Sequence, residues 1–466
     1  MKHLKYFWCL FLTLSTLSFA ACSDDEDEEA ASAPMAITQV YLENTSDTIN
    51  SDRPVEFARL GQTVRLEGSG FRGLKQIYVN GYKTYFSTTF VTDNNIIFAL
   101  DANTPVSEAD DSVRNTIRLV KDGTELVYRF TIRAASPSIT GISCTLPAEG
   151  EEVTVYGSNL QETSKVTLPG GVVVDAANIA NAPETEEESG TWFSFRMPAG
   201  VKGSGSIIAE CANGTAQSPK FFNNRDCMVL DFDGAGAQGS WGWSETGSMI
   251  NGDDLVDDPL NSGRGKVLQL IPQRLLGSGI AAGKGRATEC WTAGTGNELD
   301  DWSRMYDSIP ETTPLTDVAF QFDIYVPDAW VGTGVIELVM INNYNFGGIG
   351  SDDDNSKAMT AFYCPWVENG KAVPFSTKGW QTVTIPFSEF KKYAALIKDG
   401  KTPTFKDVVD DRNAATYKNF GMGFVNKDFS LDGSDFASSV SRQLIYIDNW
   451  RVVPCSKISI SDFPAE

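Results

Sequence analysis

Apolar and polar residues alternate along much of the chain, which is the pattern of β-strands with one buried face. In the segment from 318 to 327 every second residue is large and apolar: Val318, Phe320, Phe322, Ile324 and Val326. Gln321 and Asp323 lie between them and would face the other side, so we expect a half-buried antiparallel strand. Segments 335–344, 380–387, 420–426 and 443–453 show similar strand patterns, while 388–400 and 405–420 predict short helices.

An internal repeat occupies the first half of the chain. The segment GQTVRLEGSGFRGLKQIYVNG (61–81) aligns without a gap on GEEVTVYGSNLQETSKVTLPG (150–170), so the offset is 150 − 61 = 89 residues. Apolar residues recur at period two in both copies, and glycines stand where the chain must reverse. A spacing of that size predicts one β-sandwich domain per copy.

The sequence therefore predicts an all-β protein: two tandem β-sandwich modules at 35–134 and 136–222, which resemble Ig-like domains, then a larger jelly-roll-like domain at 226–466. Pro137 stiffens the predicted seam at 134–137. The segments MVLDFDG (228–234) and IYIDNWRVVP (445–454) bracket the last domain. We expect these two strands to lie close together, and we assign the modules a spacing role.

The N-terminus has the pattern of an export signal. Lys2 and Lys5 precede an apolar run, and Ala20 and Ala21 precede Cys22. We expect a signal peptide at 1–21 and a lipidated Cys22, which would anchor the chain by lipid and not by a helix. Ordinary cleavage after Ala20 is the alternative. Six consecutive carboxylates at 24–29 make 22–34 a solvated acidic stalk, and a linker of no further meaning is the alternative there.

Charge and histidine content exclude whole classes of function. The formal net charge of −23 becomes −25 without residues 1–21, which contain two lysines and no acids. Nucleic acids and polyanionic polysaccharides are disfavoured by such a surface, whereas neutral polymers are not. The one histidine, His3, lies in the predicted signal, so histidine-dependent triads and metal sites are unavailable.

Acidic clusters and cysteines leave some questions open. The clusters at 251–258 and 351–355 lack the spacing of a calcium-binding loop, so we interpret them as solvated loops and predict no metal and no cofactor. Six cysteines follow Cys22, and they are widely dispersed. A disulfide between Cys144 and Cys211 and buried free thiols both remain open.

Tryptophan marks the last domain, which contains eight of the ten. A neutral sugar ring presents C–H faces and hydroxyl edges, so aromatic rings beside amides and carboxylates bind it. The first candidate segment is FYCPWVENGK (362–371), in which Pro365 limits the freedom of Tyr363 and Trp366. The second is VPDAWVGTG (326–334), in which Trp330 follows the end of a strand pattern.

Charged and glycine-rich loops complete the predicted set with Trp302, Tyr306 and Trp291. Packing beneath a loop is the alternative for every ring, since tryptophan is mostly buried. Trp380 and Trp450 lie within patterned strands, so we expect them in the core.

The order of these parts resembles a known family. The acidic run after Cys22 resembles the surface-export signal of Bacteroidetes lipoproteins, and the repeat resembles IPT/TIG Ig-like modules. FYCPWVENG, GWQTVTIPFSEF and IYIDNWRVVP make the last domain similar to that of second-position surface glycan-binding proteins from Bacteroidetes polysaccharide-utilisation systems, a domain known from xyloglucan binders.

The resemblance implies a glycan held on an aromatic platform and Ig-like modules that extend it from the membrane. It also implies two partners, an outer-membrane transporter and a companion glycan-binding lipoprotein. It supports a platform role for Trp330, Tyr363 and Trp366, whereas Trp302 rests on the loop argument alone.

We therefore expect a non-catalytic, lipid-anchored cell-surface protein of the outer membrane. Its ligand would be a neutral plant-type β-glycan of the xyloglucan, mixed-linkage glucan or mannan class. One alternative is an adhesin or scaffold that binds a protein partner and keeps its tryptophans in the core. Another is a carboxylate-based glycoside hydrolase.

Overall fold

The computed structural model describes residues 34–43, 54–185, 187–239, 255–270, 289–341, 359–426 and 428–456. The predicted signal peptide, Cys22 and most of the stalk lie outside these residues, as do Trp241, Trp243 and the cluster at 351–355. Two compact units divide the chain: Met1–Ser136 with Ala212–Gly214, and Pro137–Cys211 with Thr215–Glu466. None of the helices in the described ranges is long and apolar enough to cross a membrane.

The first unit contains module 1, a β-sandwich. Its described strands are β1 Ala36–Leu42, β2 Phe57–Arg59, β3 Thr63–Ser69, β4 Gln76–Val79, β5 Tyr82–Thr84, β6 Asn95–Ala99, β7 Thr116–Lys121, β8 Thr124–Arg129 and β9 Thr131–Arg133. They form a sheet of order β1-β3-β6, a sheet of order β5-β4-β7-β8, and the parallel pair β2-β9.

The second unit begins with module 2, which repeats this architecture. Its described strands are β10 Ser138–Ile142, β11 Glu152–Ser158, β12 Lys165–Thr167, β13 Val173–Asp175, β14 Ile179–Asn181, β15 Trp192–Arg196, β16 Ile208–Cys211 and β17 Gly214–Gln217. The two sheets have the orders β10-β11-β15-β14 and β13-β12-β16-β17.

The structure confirms that the aligned segments at 61–81 and 150–170 are equivalent. The apolar positions of the alignment are buried in both copies: Val64, Leu66, Phe71, Ile77 and Val79 in the first, Val153, Val155, Leu160, Val166 and Leu168 in the second. Strand β3 pairs with β1 and strand β11 with β10, and each pair contains a register shift at its start.

The C-terminal domain occupies the rest of the second unit and consists of two facing sheets. Its described strands are β18 Met228–Leu230, β19 Val256–Asp257, β20 Lys266–Leu270, β21 Glu289–Trp291, β22 Val318–Tyr325, β23 Val335–Val339, β24 Thr360–Tyr363, β25 Val367–Glu368, β26 Lys371–Ala372, β27 Gln381–Pro386, β28 Gly421–Val425, β29 Phe429–Leu431, β30 Ser434–Phe436 and β31 Ile445–Pro454. Two α-helices, α1 Lys391–Lys398 and α2 Phe405–Ala414, lie within the predicted helical segments. The all-β prediction is confirmed.

The larger sheet has the order β19-β20-β31-β22-β27, and β18 also pairs with β31. Strands β18 and β31 are the predicted opening and closing segments, and Met228 lies opposite Arg451 in their antiparallel pairing. The expectation that the two ends of this domain meet is therefore confirmed. The smaller sheet has the order β21-β28-β23-β24, and one apolar core fills the space between the sheets.

Module 2 packs directly on the outer face of the larger sheet. Ala319 on β22 and Val453 on β31 lie opposite each other and belong to the apolar core of module 2. A backbone hydrogen bond from Thr382 N to the carbonyl of Ser143 (2.7 Å) crosses the same joint. Module 2 and the C-terminal domain are thus held together as one packed body.

A buried ionic network completes the joint. The carboxylate of Asp323 accepts hydrogen bonds from Arg264 (2.8 Å) and Arg451 (3.1 Å). Arg451 also donates to the Thr145 hydroxyl of module 2 (2.8 Å), and Arg264 donates to Glu151 of module 2 (3.1 Å). Burial alone would raise the pKa of Asp323, but the two guanidinium groups outweigh it and hold that pKa below its ordinary value.

This joint corrects one prediction from the alternating pattern. Strand β22 was expected to be half-buried, yet Gln321 and Asp323 on its polar side are 0% exposed. Module 2 covers that side, and a buried carboxylate is tolerated there because two cations pair with it.

Candidate functional site

Four of the six predicted platform rings lie in the core. Trp330 and Trp366 are 0% exposed, and Trp291 and Trp302 are 1% exposed. A sugar ring needs an open aromatic face on which to stack. The prediction of a platform formed by these four tryptophans is therefore wrong, and packing beneath loops, the alternative, describes them. Trp380 (5% exposed) and Trp450 (0%) are in the core as expected.

Trp330 and Trp366 are fixed by neighbouring loop carbonyls. The indole N–H of Trp330 donates to the carbonyl of Thr333 (2.6 Å), and that of Trp366 donates to the carbonyl of Gly334 (2.8 Å). Phe424 lies 5.4 Å from the Trp330 ring, centroid to centroid. Both polar groups of the two indoles are thus satisfied inside the protein, which removes the cost of burying them.

Trp302 packs against a buried cation. Its ring stacks on Phe387 at 6.1 Å, and the guanidinium carbon of Arg412 lies 3.7 Å from the ring centroid. Burial lowers the pKa of Arg412 to about 10. Helix α2 positions this arginine, and a capping box of Thr404 and Asp407 begins the helix.

Trp291 lies on the outer face of the smaller sheet, opposite Gly421 in the β21–β28 pairing. A Cβ atom at Gly421 would lie 2.4 Å from the Trp291 ring, so only glycine leaves room for the indole. Glu289 and Glu337 share this face, because both lie opposite Gly423 in their pairings. Each is 1% exposed, so neither carboxylate is offered to a polymer at the surface.

Tyr363 and Tyr306 are the two predicted rings that solvent still reaches. Tyr363 lies at the end of the edge strand β24, and its ring contacts Phe322 (5.8 Å), Trp330 (6.4 Å) and Phe375 (6.4 Å). Burial raises its pKa far above the ordinary value. Tyr306 stands edge-on to Phe405 at 5.9 Å and lies in the same short segment as Trp302.

The structure places the Trp330 ring beside that of Tyr363 at 6.4 Å, whereas the Trp366 ring packs against Phe429 and Phe436. We call Tyr363 and Phe375 the aromatic edge, because both are partly exposed and Trp330 packs beneath them. Strand-like pairing between Trp330 and Phe375 holds the edge together. Beyond Trp366, Asn369 and Gly370 form a turn between β25 and β26, and both have positive φ.

Sequence reasoning missed Phe375, because it follows a proline in a short segment with no clear alternation. It also missed a second group of rings on the larger sheet. Tyr325 stacks on Tyr446 at 5.8 Å and lies 6.0 Å from Trp380. The alternation of β22, which places Tyr325 on the side of Asp323, was the signal that could have found it.

The acidic cluster at 251–258 contributes a structural residue. Asp258 is 5% exposed and accepts hydrogen bonds from the Ser262 N–H (2.6 Å), the Leu260 N–H (3.0 Å) and the Trp380 indole (3.0 Å). The interpretation of the whole cluster as a solvated loop is thus wrong for Asp258. Within the described ranges no group of three or more His, Cys, Asp or Glu side chains is arranged to hold a metal ion. None of the six cysteines there forms a disulfide.

The fold defines a class: an all-β protein in which β-sandwich modules precede a jelly-roll-like domain. Residues 221–454 match the family described as "Surface glycan-binding protein B xyloglucan binding domain". That match covers half of the chain, and the chain belongs to this family.

Individual relatives agree with the family match. An IPT/TIG domain-containing protein of Bacteroides ovatus is 24% identical over 213 residues, which are 44% of this chain and 42% of that protein. The chain therefore spans less than half of the length of that curated relative. The crystal structure of surface glycan-binding protein PbSGBP-B from Prevotella bryantii superposes with a TM-score of 0.63 at 20% identity, covering 91% of this chain and all of that one. At this identity the likeness shows the fold.

Proposed function

We propose that this chain is a non-catalytic cell-surface protein that binds a neutral plant-type β-glycan, with xyloglucan as the first candidate. The family match over 221–454 carries the proposal, because the family is defined by a xyloglucan-binding domain. The net charge of −23 supports an uncharged ligand over a polyanion.

The aromatic edge is the proposed place of contact in the C-terminal domain. Tyr363 and Phe375 would stack on the faces of sugar rings, and the buried tryptophans would support them from beneath. Each stacked ring is expected to contribute roughly 1 kcal/mol, so the affinity of a single site would be modest. Many copies on one cell surface would raise the effective concentration of sites for a repeating polymer.

Affinity electrophoresis tests this function. Native gels that contain xyloglucan, mixed-linkage glucan or mannan should retard the protein in at least one case, relative to a gel without polysaccharide. Phe375→Ala should weaken the retardation about fivefold, which corresponds to roughly 1 kcal/mol. Tyr417→Ala is the matched control, because Tyr417 is 57% exposed and lies outside the aromatic edge. Equal retardation of both variants would exclude the aromatic edge, and no retardation of the wild type in any gel would exclude the function.

The absence of catalysis is part of the proposal, and a reducing-sugar assay on the same polymers tests it. Steady release of product would contradict it.

The proposal also includes the lipid anchor and the transfer of bound polymer to a transporter. Lipidated Cys22 and the acidic stalk would hold the protein at the outer membrane, beside the transporter and companion lipoprotein that take up the polymer. Cells grown with a labelled fatty acid should label the wild type, whereas Cys22→Ala should be unlabelled and released from the membrane fraction. Label on Cys22→Ala would contradict the anchor.

An adhesin or scaffold is the second candidate function, and one observation favours it. Tyr85 is 82% exposed and Phe90 is 57% exposed beside a hollow of about 440 Å³ on module 1. Exposed rings of this kind are common at protein contacts. Crosslinking of the wild type, but not of Tyr85→Ser, to a cell-surface protein would support this candidate if every glycan gel failed to retard the chain.

A further inference from the structure

A cleft of about 820 Å³ opens between module 2 and the C-terminal domain. One wall is the outer face of the module 2 sheet β10-β11-β15-β14, and the other is formed by residues 376–381 and 260–262 of the C-terminal domain. The volume is within the range of sites that bind small organic ligands, and domain joints are common places for such sites. The buried network of Asp323, Arg264 and Arg451 fixes the two walls relative to each other.

Two aromatic rings form a pair on the module 2 wall. Tyr156 on β11 lies directly opposite Trp192 on β15 in the antiparallel register. Their neighbours Val155 and Phe193 are 0% exposed and face the core, so the alternation of the strands directs Tyr156 and Trp192 outward. Tyr156 is 44% exposed and Trp192 is partly exposed. This pair has the open ring faces that the buried tryptophans of the C-terminal domain lack.

Hydroxyl and amide groups surround the pair. Thr154 and Ser194 are the next residues on the same face and also lie opposite each other, and Gln381 lines the facing wall. The remaining charges balance, because Glu152 on one wall and Lys378 on the other carry opposite signs. Glu151 is already paired with Arg264 at 3.1 Å. Open rings with uncharged polar groups at their edges suit a neutral glycan better than an ionic ligand.

Module 1 shows that the fold does not require this aromatic pair. The offset of 89 residues places Glu67 and Arg65 of module 1 at the positions of Tyr156 and Thr154. There the two side chains form an ion pair at 3.4 Å, and Arg65 also pairs with Glu43 at 2.6 Å. The same sheet face therefore carries charges in one copy and an aromatic pair in the other.

We propose that this cleft is a second binding site for a neutral β-glycan, with Tyr156 and Trp192 as its stacking rings. This inference rests on the proposed function, because it assigns a second stretch of the same polymer to module 2. Two sites on one rigid body raise the effective concentration of the second contact once the first has formed. Module 2 then binds ligand in addition to acting as a spacer.

Isothermal titration calorimetry with xyloglucan oligosaccharides, followed by soluble xyloglucan, tests the second site. The wild type should bind two oligosaccharides per chain, and Trp192→Ala should bind one. The affinity for the polymer should fall about tenfold, because the intramolecular contact is lost. Tyr85→Ala, which removes an exposed ring from module 1, is the matched control and should keep both sites.

A second variant distinguishes the loss of a ligand contact from a folding defect in Trp192→Ala. Thr154→Arg combined with Tyr156→Glu transplants the ion pair that module 1 already carries on this face, and it should also bind one oligosaccharide. Unchanged stoichiometry and polymer affinity in both variants would overturn the second site while the proposed function stands. No binding of any neutral glycan by the wild type would overturn both.

Discussion

The indole N–H groups of Trp330 and Trp366 donate to consecutive carbonyls, those of Thr333 and Gly334. A tryptophan that stacks on a ligand keeps one face open, whereas these two rings are enclosed on all sides. At the residue scale they stabilise the loops that present the aromatic edge. Loss of glycan binding in a Trp330 or Trp366 variant would therefore indicate a damaged fold, and not a lost contact with the ligand.

Trp366→Ala should lower the free energy of unfolding by about 3–5 kcal/mol, because it empties a core position and leaves the Gly334 carbonyl without its donor. Urea unfolding followed by circular dichroism measures this change. Tyr417→Ala, an exposed control, should stay within about 0.5 kcal/mol of the wild type. If Trp366→Ala were as stable as this control and still bound xyloglucan weakly, Trp366 would belong to the platform after all.

At the scale of elements, one glycine in each module allows the first two long strands to meet. A Cβ atom at Gly68 would lie 1.9 Å from the Ala36 carbonyl oxygen, and one at Gly157 would lie 1.9 Å from that of Ser138. The equivalence of Gly68 and Gly157 follows from the repeat alone. The reason for each glycine is the close approach of a neighbouring backbone, which the alignment does not show.

Gly157→Ala should destabilise the second unit by about 1–3 kcal/mol, since the added methyl group forces β10 and β11 apart. Gly379→Ala is the matched control, because a Cβ atom there has no neighbour within 4 Å. Denaturant midpoints of the two variants give the comparison. Equal midpoints would mean that the strands separate without cost and that the contact at Gly157 is unimportant.

At the scale of the whole molecule, the joint between module 2 and the C-terminal domain contains a buried carboxylate, that of Asp323. Asp323 pairs with Arg264 and Arg451, and its pKa lies below the ordinary value of about 3.9. A lowered pKa stabilises the fold above about pH 4, and this contribution is lost as the pH falls through the folded-state value. Burial raises the pKa of the neighbouring Asp448, so its contribution has the opposite sign and is lost as the pH rises.

Asp323→Asn should destabilise the second unit at pH 7 by about 3–5 kcal/mol, because the buried Arg451 loses its carboxylate partner and Arg264 loses one of its partners. The difference from the wild type should shrink as the pH falls from about 4 towards the lowered folded-state pKa of Asp323. Urea unfolding between pH 3 and 7 measures this trend. Asp257→Asn, at a carboxylate that is 87% exposed, should show no such trend. A constant difference for Asp323→Asn across this range would contradict the linkage.

The sequence by itself determined the order of the parts, the all-β class, the repeat and most strand positions, since alternation and glycine placement are local properties. It also singled out the segments that contain Trp330, Tyr363 and Trp366. Only the tertiary structure decided which rings remain open. Exposure depends on residues far apart in the chain, as when Phe375 meets Trp330 or module 2 covers Asp323. Period-two alternation assigns a residue to a face of a sheet, and what packs on that face is a long-range contact that no local pattern contains.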